Sequence, residues 1–287
     1  MKSKLLIYIF IAASVIATSC SEKIDLKLDD TYTRLVVDAN ITTEHKYQTV
    51  KLSLTSNYFS NSASPVVSGA DVTISNGDTT MVLIENPSGS GIYQTLTPVK
   101  LPYEKKYTLK IGNVTIDDVT KEYESSCFMR QTMTMDSITY EKFEPSHMQA
   151  GQYGVDPNAT YYKINGWGQD SPIPGDYYLW EYYINDTLKT DTISECIFTD
   201  DLLVNGNYIP GLTMFLINAN PGDTVKVGTY SINKEFYDFI TSLMLETAWN
   251  AGPMSGPPSN IKGNINNGAL GFFRATDVTF VSVGIKE

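Results

Sequence analysis

The chain has 287 residues, with 21 Lys and Arg against 32 Asp and Glu and a formal charge of −11. That length suits one large or two modest domains. The acidic balance, with no basic patch, argues against nucleic acid as a partner and against direct adhesion to anionic lipid, because nothing is there to neutralise phosphates.

Met1-Lys2-Ser3-Lys4 is followed by residues 5–17, apolar except for Tyr8 and Ser14, and then by Thr18-Ser19-Cys20. A basic start, a short apolar run and small residues form an export signal, and the run is too short to span a bilayer comfortably. Lipoprotein signal peptidases cut just before a cysteine that follows small residues. Residues 1–19 therefore read as a signal peptide and Cys20 as the lipidated first residue of the mature protein; a plain signal peptide ending near a cysteine is the alternative. Two or three acyl chains, at roughly 0.8 kcal/mol per buried methylene, hold a domain on a membrane essentially permanently. Residues 20–33, rich in charges such as Glu22, Lys23, Asp29 and Asp30, read as a tether.

From residue 34 the pattern is of strands. Residues 34–41 and 48–54 are rich in β-branched side chains, the second with Val50, Leu52 and Leu54 on one face, and they pair across the polar turn at Glu44-His45-Lys46. Residues 70–74 and 81–84 flank Asn76-Gly77-Asp78, a strong hairpin signal. Runs at 91–95, 106–111 and 114–116 follow, divided by Pro98, Pro102 and Gly112-Asn113. About seven short strands in about 85 residues is the density of an immunoglobulin-like β-sandwich. Residues 34–120 are predicted as that sandwich and residues 121–287 as a second, β-rich domain, so the fold class is mainly β.

In the second part, residues 137–143, 161–167 and 177–184 carry many aromatic side chains, and 222–231 ends in alternation. Residues 233–247 are predicted as a single amphipathic helix. Asn233 caps it, Glu235 sits at its positive end, and Phe236, Phe239, Ile240, Leu243 and Met244 form one stripe to pack on a sheet. Beyond a Gly- and Pro-rich stretch at 252–259, residues 269–275 and 277–283 return to strand.

Cys127 and Cys196 could close one disulfide in an oxidising compartment, worth roughly 2–4 kcal/mol by loop entropy, or remain two buried free thiols. His45 and His147 stand alone, and neither cysteine lies in a C-x-x-C pair. No G-x-S-x-G, H-E-x-x-H, Walker loop or G-x-G-x-x-G occurs. No catalytic residue, cofactor or metal is assigned, and no enzyme activity is expected. Neighbouring acids on a strand point to opposite faces, so Asp117-Asp118 and Asp200-Asp201 cannot form the facing pair of a glycosidase. Solvated turns suit them, with a Ca²⁺ site at Asp200, Asp201 and Asn205 as the other reading. The candidate ligand platform is aromatic: on a strand, Tyr178, Trp180 and Tyr182 share one face, joined by Trp167 from a neighbouring run. Such a surface stacks on sugar rings or on a protein partner, and the competing reading is that this face is the domain core.

The order of features resembles a Bacteroidetes lipoprotein family, the domain of unknown function 4249. The resemblance rests on Cys20 with its acidic tether, the strand Leu35-Val36-Val37-Asp38-Ala39-Asn40-Ile41 and the segment Gly69-Ala70-Asp71-Val72-Thr73-Ile74. Gly91-Ile92-Tyr93, Asp136-Ser137-Ile138, Thr199-Asp200-Asp201, Pro257-Pro258-Ser259-Asn260-Ile261 and Gly263-Asn264-Ile265 through Gly268-Ala269-Leu270-Gly271-Phe272-Phe273 carry it to the end of the chain. The family has no established enzymatic activity, and its members look like partners of TonB-dependent outer-membrane receptors. The resemblance thus implies a non-enzymatic outer-membrane lipoprotein, an accessory subunit of a TonB-dependent nutrient receptor at the cell surface or periplasmic face, handling a glycan or peptide nutrient. A stand-alone surface adhesin or glycan-binding lipoprotein is the alternative.

Overall fold

The computed structural model describes residues 33–56, 62–146, 155–156, 158–247 and 261–286. The signal segment, Cys20, the tether through residue 32, His147 and the stretch at 252–259 lie outside the described residues. What is described is mainly β, with one α-helix among the described residues.

The first seven strands are β1 (Leu35–Thr42), β2 (Thr49–Leu54), β3 (Asp71–Ser75), β4 (Thr80–Glu85), β5 (Ile92–Thr95), β6 (Lys105–Ile116) and β7 (Val119–Met129). They run antiparallel to their neighbours in the order β1-β2-β5-β4-β3-β6-β7. Period-two alternation drives this: Val37, Ile41, Leu52, Ile74, Leu109 and Ile111 all point into one core. The Asn76-Gly77 turn joins β3 and β4 as the dipeptide predicts, with Asn76 Oδ1 accepting from the backbone N–H of Asp78 and Thr79. Gly112-Asn113 does not divide two strands. It is a register shift within β6, which continues through it to Ile116.

The last edge of this sheet comes from the far end of the chain. β15 (Leu270–Thr276) lies parallel to β1, with Val36 opposite Leu270 and Thr42 opposite Thr276. The two outermost strands, β7 and β15, then approach each other, and the residues just before β15 bond to the backbone of β7. Asn266 Oδ1 accepts from Glu124 N at 2.7 Å, Asn266 N donates to Glu124 O, and Asn267 Nδ2 donates to Glu122 O at 2.7 Å. Further along, Cys127 Sγ accepts from Ala275 N at 3.4 Å. The sheet therefore curls toward a barrel-like form around its core, and its exposed edges are covered, which removes sites for edge-to-edge pairing. Residue 120, the boundary read from the sequence, falls inside β7, and β15 returns to the first sheet from the second part.

The rest forms two further sheets. β8 (Thr134–Phe143), β9 (Tyr161–Gln169) and β13 (Tyr208–Asn218) make a three-stranded sheet with β9 central. β11 (Thr187–Leu188), β10 (Tyr177–Ile184), β14 (Thr224–Ile232) and β16 (Val278–Gly284) follow in that order in a second sheet, and β12 (Ile197–Asp200) also pairs with β10. Both faces of β10 are covered. Tyr178 and Trp180 pack with Ile138, Tyr162, Ile164 and Phe215 from the three-stranded sheet. Leu179 packs with Tyr230, Ile232, Val278 and Ile240 on the other side.

Ile240 belongs to the helix α1 (Lys234–Thr247). Asn233 caps it, its Oδ1 accepting from Phe236 N at 3.0 Å. The apolar stripe lies on sheet: the Phe236 and Phe239 rings sit 5.0 and 5.1 Å from that of Phe272 on β15, and Tyr237 meets Tyr177 and Phe198. One short helix thus touches strands of both the first sheet and the second.

Gly271 is where β15 comes closest to β1. Its φ is +89°, and a Cβ placed there would stand 2.0 Å from the Val37 carbonyl oxygen. Gly268, with φ +78°, has open space around it. Gly271→Ala is therefore expected to destabilise the protein by about 3 kcal/mol or more, and Gly268→Ala by only about 1 kcal/mol. Urea unfolding of both variants measures this, and equal losses would contradict the close approach.

Candidate functional site

Four buried aspartates organise the loops between the sheets, and each has an identifiable task. Asp170, at the end of β9, accepts from Tyr178 Oη at 2.6 Å with Oδ1 and from Gly206 N at 2.9 Å with Oδ2. Asp201, just after β12, accepts with Oδ2 from the backbone N–H groups of Gly175 and Asp176, at 2.9 and 3.1 Å. Asp277, the single residue between β15 and β16, accepts from Thr43 Oγ1 at 2.6 Å and from Thr132 N at 2.9 Å. Asp176, at the entry to β10, pairs with the Arg130 guanidinium at 3.1 Å. A buried carboxylate is tolerated only when hydrogen bonds or a partner charge offset its lost hydration, and each of these has them. Burial nevertheless dominates at Asp176 and holds its carboxyl above the ordinary carboxylate range, while Arg130 pulls it back down. Tyr178 is held above the usual phenol range, mainly by burial and then by its bond to Asp170.

Arg130 leaves β7 with its backbone pinned, its carbonyl accepting from Ser231 Oγ at 2.7 Å. Its side chain lies where two clefts meet, of about 410 and 480 Å³, both lined by Phe128 and Arg130. The first is completed by Ser126, Cys127, Tyr177, Asn233 and Asn264, at the N-terminus of α1. The second is completed by Glu104, Gln131, Ser171, Ile173 and Asp176. Phe128 is 45% exposed, and Ile173 is also largely exposed. An arginine fork flanked by apolar side chains suits a ligand with an apolar part and a hydrogen-bond acceptor. Burial pushes the Cys127 thiol up to about 11, so it remains protonated at neutral pH and is a poor nucleophile.

The residues singled out from the sequence are dispersed. Tyr178 and Trp180 are buried in the core between two sheets, and Tyr182 packs against the same core. Trp167 lies on the opposite, outer face of the three-stranded sheet, its Nε1 donating to Thr139 Oγ1 at 3.0 Å, so the four do not form one platform. Cys127 and Cys196 are both free thiols. Cys127 sits in the seam with Ala275, and Cys196 donates to Thr192 O in the turn Ile193–Glu195. His45 is exposed in the turn between β1 and β2. Asp201 Oδ2 is occupied by backbone donors, and no group of three or more His, Cys, Asp and Glu among the described residues could hold a metal ion. Arg130 carries no motif in the sequence, where it is a lone arginine between the runs at 114–116 and 137–143.

Asp176 generates a pH prediction. Its raised proton affinity means that the folded chain binds the proton more tightly than the unfolded chain does. Ionisation at neutral pH therefore lowers stability, and that penalty is relieved as pH falls through the folded value toward the unfolded value of about 3.9. Asp176→Asn cannot ionise. Its stability relative to wild type is expected to be most favourable near pH 7 and to decline as the medium is acidified toward about pH 4, as read by urea unfolding at a series of pH values. A difference that did not vary with pH would contradict the burial effect.

The family model described as Domain of unknown function (DUF4249) matches residues 21–280. No curated protein matches the chain.

Proposed function

The chain belongs to the DUF4249 family, and on that premise we propose that it is a non-enzymatic outer-membrane lipoprotein acting as an accessory subunit of a TonB-dependent nutrient receptor. The family match begins at residue 21, directly after the cysteine that the export signal marks for lipidation, which supports Cys20 as the anchor point. No helix among the described residues is long and apolar enough to cross a membrane. In this reading the acyl chains on Cys20 supply the attachment.

The observation that carries the binding role is the pair of clefts meeting at Arg130. Asp176, the buried acid that lines one of them, pairs with the Arg130 guanidinium, and the guanidinium lines the clefts together with the exposed Phe128 and Ile173. A glycan or peptide nutrient offers both the acceptor groups and the apolar surface that such a groove takes. The finer fold reading belongs to the same proposal: an immunoglobulin-like sandwich for the first part of the chain, supported by the antiparallel order and inward alternation of β1 to β7.

A stand-alone glycan-binding lipoprotein is the second reading. It is favoured by the outer face of the three-stranded sheet, where Trp167 lies beside Thr139 and the bonded pair Asn165 and Thr213.

Affinity purification of the full-length protein from native outer membranes decides between them. A β-barrel receptor recovered in stoichiometric amount is the expected result, and Cys20→Ser should move the protein out of the membrane fraction. Repeated recovery of the lipoprotein alone would count against the accessory role.

A further inference from the structure

Two loops are built as one unit. Residues 171–175 lead from β9 to β10, and residues 201–207 lead from β12 to β13. Gly175 N and Asp176 N both donate to Asp201, and Asp201 N returns a bond to Asp176 O. Gly206 N reaches both Ser171 O and Asp170 Oδ2, at 3.0 and 2.9 Å. Within the second loop, Val204 N and Asn205 N donate to Asp201 O. Buried carboxylates thus brace both loops from beneath.

Beside the exposed Asn205 and Asn207, the loops carry three exposed aliphatic side chains. Ile173 is 62% exposed, Leu202 80% and Leu203 95%. A single exposed leucine is ordinary, but three aliphatic side chains on two mutually braced loops make an apolar tip whose ordering cost is already met by the fold. The tip adjoins the outer face of the three-stranded sheet, where Gln169 Nε2 donates to Gly206 O and where Tyr208 and Trp167 are carried on β13 and β9. Tyrosine and tryptophan next to exposed aliphatics is the composition of a protein contact surface.

Charge narrows the occupant. Neither loop contains Lys or Arg; Arg130, in the cleft that Ile173 helps to line, is paired with Asp176, and the margin carries the acids Asp200, on β12, and Asp136, which hydrogen-bonds Tyr208. An anionic lipid surface attracts basic segments and would repel this one. We infer that the tip formed by Ile173, Leu202 and Leu203 is a docking surface for a protein partner that offers an apolar pocket rimmed by Lys or Arg. This deepens the accessory reading and rests on it, the receptor being that partner.

The test uses the full-length chain in native membranes. A photo-crosslinking residue is placed at position 203 and, as a control, at position 120 in the exposed β6–β7 hairpin, and Leu202→Ser with Leu203→Ser is prepared as a double variant. Both leucines project into solvent, so the double variant should unfold at the wild-type temperature. The expected result is a crosslink from position 203 but not from 120 to the receptor, at a peptide containing Lys or Arg. Receptor recovery should fall at least about tenfold in the double variant, a factor that loss of two buried leucines exceeds. A receptor that co-purifies with wild type but is recovered equally well with the double variant overturns the docking surface and leaves the accessory role standing. Crosslinks from 203 to lipid or to a second copy of this chain overturn it as well. If no receptor accompanies wild type, the accessory role fails first and the inference with it.

Discussion

The parallel pairing of β1 with β15 holds the rest of the structure together. Seven antiparallel strands alone would leave β1 with a free row of backbone donors and acceptors, an invitation to pair with another chain. β15 fills that row from Val36 to Thr42, and Gly271 allows the two backbones to approach. One residue later the chain has entered β16 and the second sheet. That residue is Asp277, whose two oxygens hold Thr43 just beyond β1 and Thr132 just before β8. A single strand and a single carboxylate therefore tie together segments separated by most of the sequence. Pairing at such sequence separation requires a large loop to close before any contact rewards it, an entropic cost that the parallel contact and the Asp277 bonds offset.

An acidic chain has many carboxylates to distribute, and this one places some of them where they shape loops. Asp170 and Asp201 do for the 171–175 and 201–207 loops what backbone partners do for strands: they satisfy N–H groups that a tight loop leaves unpaired. The same residues that resemble metal ligands or catalytic acids in one dimension are thus framework in three. The arrangement leaves Arg130, which Asp176 holds and orients, as a cation facing the clefts. Rigid loops with polar foundations can then present aromatic and aliphatic side chains outward, and that separation between a braced interior and an adhesive exterior is what the binding reading uses.

Much of this was legible before any coordinates. The alternation in β1 and β2, the Asn-Gly hairpin, the capped helix and the closing pair of strands are all local signals, and each element stands where its pattern predicts. Elements with interrupted patterns were not legible. β7 places Ser125 and Cys127 at inward positions, so its hydrophobic period is weak. β13 contains Pro210 and Gly211 and two register shifts against β9, which break its strand period. The aromatic run of β10 shows which residues share a face, but a strand covered on both sides has no solvent face to identify, which is why the sequence leaves Tyr178 and Trp180 open to a platform reading beside the core one until the neighbouring layers are known. The parallel β1–β15 contact and the gathering of Asp170, Asp176 and Asp201 around two loops depend on long-range topology, which local pattern does not encode.

If β15 and Asp277 weld the sheets into one cooperative unit, native-state hydrogen exchange is the most direct measurement of it. Amides of β1, β15 and β14 should share one opening free energy and lose protection together as urea is raised, because freeing β15 unmakes both sheets. Persistent protection of β1 to β7 at urea concentrations where β14 and β16 have already exchanged would show that the first sheet stands without its C-terminal strand, and would contradict the account.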